Sequence, residues 1–140
     1  MTGKSWTRLF GSEELPGGRV VEVTHDGADL LVYRTERGAL RALEAWCPHM
    51  GNYMPNGLPQ GSHTGRDLST LLHGEELVCP FHDWRFDGRG RCSGLPTGQR
   101  QPARVAAGQR IMKSWHIREQ DGVIQIGNER PVGQGPVADR

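Results

Sequence analysis

The sequence predicts an antiparallel all-β domain of about eight to ten short strands. Three observations carry this. Twenty glycines and nine prolines are spread along 140 residues, so turns are frequent and long helices have little room. Short runs rich in valine, leucine and isoleucine recur, several with an apolar residue at every second position, the period of a half-buried strand. Two Asp-Gly pairs, Asp26-Gly27 and Asp121-Gly122, stand between such runs, and Asp-Gly favours the positive φ that a two-residue hairpin turn needs.

The totals narrow the class. A chain of 140 residues is expected to form one domain with its own core, without disulfide staples. A formal net charge of +1 argues against nucleic acid as a partner, because phosphate binding needs a clustered basic surface. No apolar run approaches the length of a membrane span. Residues 1–9 lack the apolar stretch of a signal peptide. With so few cysteines no disulfide framework is expected, and a reducing, cytoplasmic location is.

The elements follow in order. Residues 6–9 are expected to form a short strand. Glu13 to Gly18 is a turn with mixed charge, and residues 19–24 are a valine-rich strand. The Asp26-Gly27 turn leads into Leu30-Leu31-Val32-Tyr33-Arg34. Residues 40–46 alternate and deliver Cys47 to a loop. From Met50 the chain is loop, and residues 67–73 suggest one or two helical turns, too short to stand alone. Glu76-Leu77-Val78 is a strand into Cys79, and residues 83–86 and 91–93 flank the tight turn Asp87-Gly88-Arg89-Gly90. Residues 97–110 show no periodicity. Residues 111–119 alternate around Trp115 and Ile117, and Asp121-Gly122 turns them into Val123-Ile124-Gln125-Ile126. Residues 128–140 are expected to be a flexible tail rich in glycine and proline.

Two short pairs carry the chemistry: Cys47-Pro48-His49 and Cys79-Pro80-Phe81-His82. Each follows a predicted strand and sits among turn residues. Two thiolates and two imidazoles suit zinc or an iron–sulfur cluster. Zinc fingers usually pair like ligands, with two histidines on a helix. Here each loop mixes one cysteine with one histidine, and neither reads as helix. The proline after each cysteine limits backbone freedom and lowers the entropy lost on ordering the loop. Cys92 is expected to be a small buried apolar residue, and Trp46 and Trp84 to pack in the core. His25, His63, His73 and His116 are scattered and are expected to be surface or structural residues. A role for His63 and His73 in catalysis within this chain is the weakest alternative.

The C-x-H and C-x-x-H pattern, with Cys79-Pro-Phe-His-Asp-Trp-Arg-Phe-Asp-Gly-Arg-Gly-Arg-Cys around the second pair, resembles the Rieske [2Fe–2S] family. Tyr33-Arg34-Thr35-Glu36, Ala45-Trp46-Cys47-Pro48-His49 and Ser114-Trp115-His116-Ile117-Arg118-Glu119 resemble in particular the N-terminal Rieske domain of non-haem iron oxygenases that hydroxylate steroid rings. The resemblance implies a Rieske fold over residues 1–127, with stacked antiparallel sheets and a small cluster-binding subdomain over about residues 46–96. It implies that Cys47 and Cys79 bind one iron and His49 and His82 the other, with both imidazoles exposed at the tip. Gly94-Leu95-Pro96 would be a third loop covering the cluster. The implied role is one-electron transfer as the Rieske component of an oxygenase system, between a reductase or ferredoxin donor and an oxygenase catalytic subunit. A free-standing Rieske ferredoxin, or a non-enzymatic protein using the cluster or zinc as a structural or regulatory staple, are the alternatives. No catalytic residue is assigned in this chain.

Set against the family, the chain departs in several places. Respiratory Rieske proteins carry a disulfide between the ligand loops; Asn52 and Phe81 occupy those positions here. They also place serine and tyrosine hydroxyls where Trp84 and Phe86 stand, so a potential toward the low end of the family range is expected. Asp83 replaces a glycine after the second histidine, which aspartate suits because it tolerates positive φ. The stretch between His49 and Cys79 is longer than usual, with an insertion over about residues 56–70 that is either a docking flap or a surface loop. A catalytic domain with a mononuclear iron is not legible.

Overall fold

The computed structural model describes residues 5–58, 68–130 and 132. Among these the chain forms ten strands: β1 Thr7–Gly11, β2 Val20–His25, β3 Ala28–Arg34, β4 Leu40–Glu44, β5 Leu72–His73, β6 Glu76–Val78, β7 Arg85–Phe86, β8 Cys92–Gly94, β9 Ser114–Gln120 and β10 Val123–Arg130. Two antiparallel sheets result, β1-β10-β9-β4-β3-β2 and β5-β6-β7-β8. The all-β expectation holds. Both Asp-Gly turns form as expected: Asp26 and Gly27 have φ of 51° and 79°, and Asp121 and Gly122 have 54° and 76°. His25 pairs with Ala28 and Gln120 with Val123 across them.

In the larger sheet, β4 and β9 are in register at Leu43 and Ser114, and Glu44 N–H donates to Lys113 C=O at 3.0 Å. Leu30, Val32 and Ala42 face one core with Trp115, Ile124 and Ile126. Leu31, Tyr33 and Leu43 face another with Leu72, Leu77, Phe86, Cys47 and Cys79. Strand β3 is therefore covered on both faces, which explains its unbroken apolar run rather than an alternation. It is the wall shared by the scaffold and the smaller sheet.

The smaller sheet is set on that wall by close backbone approaches. Gly90 has φ of 85°, and a Cβ there would lie 2.4 Å from the carbonyl oxygen of Met112. Its own carbonyl accepts from Ile111 and Met112 N–H, tying the β7–β8 turn to the segment that leads into β9. The Asp87 carboxylate caps the same turn, accepting from the backbone N–H groups of Arg89 and Arg91 and from the Arg91 guanidinium at 2.8 Å.

Three expectations need correction. Leu68–Leu71 is a 3-10 turn, but the next two residues are strand, because Gly74 at φ 68° folds a hairpin that pairs Leu72 with Leu77. Ala103–Ala106 is a short helix in the stretch that showed no period; Pro102 precedes it and only Val105 is buried, too little for a pattern. The last strand continues to Arg130 instead of ending before residue 128. A bulge after Ile126 absorbs Gly127 and Asn128, and pairing resumes at Glu129 with Trp115 and Arg130 with Ser114. Most of the expected insertion, residues 59–67 including His63, and residues 133–140 of the expected tail lie outside the described residues.

Candidate metal centre

The two Cys–His loops are built on one backbone plan. In the first, Cys47 N–H donates to Asn52 C=O at 2.8 Å and Gly51 N–H donates to Cys47 C=O at 2.8 Å. In the second, Cys79 N–H donates to Trp84 C=O at 2.9 Å and Asp83 N–H donates to Cys79 C=O at 2.8 Å. The residue four places after each cysteine must take positive φ for this turn to close: Gly51 has 76° and Asp83 has 61°. Aspartate does fill the glycine position without changing the loop, as the sequence suggested.

Surrounding contacts fix the two loops face to face. Trp46 and Tyr53 form an isolated bridge across the base of the first. The Tyr53 hydroxyl donates to Glu22 on β2 at 2.6 Å. A 3-10 turn, Met54–Gly57, follows, with Met54 fully buried in the shared core. Gly57 meets the second loop so closely that a Cβ would sit 2.6 Å from Pro80 Cγ. The sequence showed only loop from Met50 onward, and this contact could not be read from it.

This frame sorts the four donors. Cys47 and Cys79 are buried, at 1% and 0% exposure. Their thiols hydrogen-bond each other. That bond pulls Cys79 down to about 6, with the Phe81 and His82 N–H groups acting in the same direction against burial. The same bond, and then burial, drives Cys47 up. The imidazoles lie outward. His49 and His82 have ring centroids 4.9 Å apart, edge to face. His82 is exposed, while His49 is half-buried. Burial, and then His82, holds the His49 imidazole below its ordinary range. Its Nδ1 is buried without a hydrogen-bond partner, a lone pair of the kind a metal would use. The expectation that both histidines are exposed therefore holds for His82 and is corrected for His49, which lies beneath Trp84.

The donor set fits a binuclear group. Sulfur is paired with sulfur and imidazole with imidazole, the arrangement a cluster with two differently ligated irons calls for. Among the described residues, no three His, Cys, Asp or Glu side chains are grouped to hold a single metal ion.

A family model for the Rieske [2Fe–2S] domain matches residues 5–116. The chain belongs to the Rieske [2Fe–2S] domain family. Its cofactor is a Rieske-type [2Fe–2S] cluster. A 3-ketosteroid-9-alpha-monooxygenase oxygenase component of Rhodococcus rhodochrous is 32% identical over 136 residues, covering 97% of this chain and 30% of the relative. A cholesterol 7-desaturase of Ciona intestinalis is 34% identical over 121 residues, covering 86% and 22%. The chain thus spans less than a third of the length of these relatives. Among solved structures, dicamba monooxygenase is 27% identical, with a TM-score of 0.61 over 87% of this chain and 32% of that one. The complex between oxygenase and ferredoxin in carbazole 1,9a-dioxygenase shares the fold at 22% identity, with a TM-score of 0.64 over 86% of this chain and 27% of that one.

The other residues singled out in the sequence fall into place around the Rieske tip. Trp84 is buried as expected, at 4% exposure, and stacks on His49 at 4.0 Å with the planes 12° apart. Trp46 is not a core residue: it is 44% exposed and rests on Tyr53 at 4.8 Å. Leu95, of the expected covering loop, packs against the core that holds both cysteines. Cys92 is half-buried, its thiol donating to Gly94 C=O at 3.4 Å. His73 is exposed on β5. Among the described residues, no helix is long and apolar enough to cross a membrane. Gln99 went unnoticed in the sequence; its Oε1 accepts the Trp84 indole N–H at 2.7 Å.

Proposed function

We propose that Cys47 and Cys79 bind one iron of the cluster, that His49 and His82 bind the other, and that the domain passes single electrons to the iron centre of an oxygenase. The observation that supports this best is the sorting of donors, with thiols inward and imidazoles outward, from two loops of one plan. When bound, the cluster accepts and releases one electron. The chain's own residues set the conditions. Backbone N–H groups of His49 and Met50 face the Cys47 sulfur, and those of Phe81 and His82 face the Cys79 sulfur, stabilising negative charge there.

Transfer is directed through the exposed edge at His82. Trp46, Met50 and Phe81 are 44%, 64% and 40% exposed and are the large apolar side chains left uncovered among the described residues. Each adjoins a proposed ligand in sequence: Trp46 next to Cys47, Met50 next to His49 and Phe81 next to His82. An apolar rim about the exposed imidazole excludes water when a partner docks and shortens the path to it. The donor is a ferredoxin or reductase, and the acceptor is an oxygenase catalytic site, as in the longer relatives. Their names point to a steroid or sterol as that oxygenase's substrate class.

The potential tests this reading. Trp84 gives its N–H to Gln99, and Phe86 has no hydroxyl, so neither donates to the cluster sulfurs. Reduction adds negative charge that such donors would stabilise. Protein-film voltammetry of the iron-loaded protein should therefore give a reversible one-electron wave toward the low end of the roughly −150 to +300 mV Rieske range. A wave near the top of that range would contradict the proposed role. No wave in folded, zinc-bound protein would favour a structural staple.

A further inference from the structure

Resting on this ligand assignment, we infer that Gln99 and Trp84 form a clamp that sets the orientation of the His49 ring on its iron, with Gln99 as the positioning residue. The two imidazoles are held unequally. His82 is exposed, with His49 as its ring contact among the described residues. His49 lies nearly parallel to the Trp84 indole at 4.0 Å, in a 12° stack. The indole is itself fixed: it is 4% exposed, is tilted against Phe86 at 6.4 Å, and donates its N–H to Gln99 Oε1 at 2.7 Å. An indole buried at that level has little freedom once its single donor is satisfied, and rotating it would leave the N–H unpaired.

Gln99 itself lies at the surface, in the loop beyond Leu95. It makes no described contact with His49 and reaches it through the indole plane. The stack also covers one face of His49 and keeps water from that side. The protein thus has one ligand locked from behind and one open to partners. Spectroscopy of the cluster reports the locked one directly, because the orientation of an imidazole plane affects the electronic anisotropy of the iron it binds.

The test compares iron-loaded, dithionite-reduced wild type with Gln99→Leu, Trp84→Phe, the double variant and Gln99→Glu by electron paramagnetic resonance. Gln99 is exposed, so its replacement spares the core and separates this effect from misfolding. Gln99→Leu and Trp84→Phe should each broaden the resonance lines through a spread of His49 orientations. The double variant should be no broader than Trp84→Phe alone, since the bond it breaks is already gone. Gln99→Glu restores an acceptor and should keep wild-type line widths. A Gln99→Leu spectrum that superimposes on wild type, or broadening that adds in the double variant, overturns the clamp. A wild type with no [2Fe–2S] signal overturns the ligand assignment, and the clamp with it.

Discussion

Cys79→Ala is expected to strip the protein of its visible chromophore and of both irons. Cys79 is fully buried, its sulfur is hydrogen-bonded to that of Cys47, and it holds the thiolate form more readily than a free cysteine. Alanine leaves the neighbouring iron one thiolate short in a site closed to water, where nothing else can substitute. Cys92→Ala is the control and should retain the chromophore. The scaffold should survive the loss. Leu30, Val32, Ala42, Trp115, Ile124 and Ile126 form a core that includes none of the four proposed ligands. Hydrogen exchange on the iron-free variant should show β9 and β10 still protected while the two ligand loops open. Retention of the chromophore would refute the assignment of Cys79. Global unfolding would instead show the cluster to be the staple that holds the fold together.

The second large effect is on stability. Phe86→Ala should cost about 3–5 kcal/mol, the usual range for truncating a fully buried aromatic residue. Phe86 has 0% exposure, pairs with Leu77 and Cys92 across the smaller sheet and lies against Trp84. The cavity would open between that sheet and the wall made by β3 and β4. For a domain of this size the melting temperature should fall by about 10–20 °C, measured by calorimetry on iron-loaded protein. A change below about 1 kcal/mol would show that the smaller sheet does not depend on this ring.

Much of this was legible in the residues themselves. The Cys–His pairs, the Asp-Gly turns and the apolar runs report local requirements: donor chemistry, positive φ and strand period. Asp83 is the clearest case, since its role follows from backbone geometry alone. What was hidden depends on contacts distant along the chain. Gln99 is a polar residue in an aperiodic stretch, and nothing nearby announces an indole fifteen residues earlier. Trp46 read as core because tryptophan usually is, but the bridge to Tyr53 turns it outward to the rim. Residues 128–140 read as a tail because they are rich in glycine and proline, yet the strand runs on through Gly127 to Arg130. Gly127 is needed where the strand passes the Trp6 ring, 3.0 Å from where a Cβ would be. His49 looked equivalent to His82 because the motif gives each a cysteine partner, and only packing distinguishes them.

The most direct test of the central assignment is the Mössbauer spectrum of the reduced protein loaded with iron-57. Two thiolates on one iron and two imidazoles on the other must give two inequivalent sites, with the added electron on the imidazole-bound iron. The account predicts two well-resolved doublets of equal area, the ferrous one lost together with the ferric one in Cys79→Ala. Two equivalent irons, or a single mononuclear iron, would contradict it.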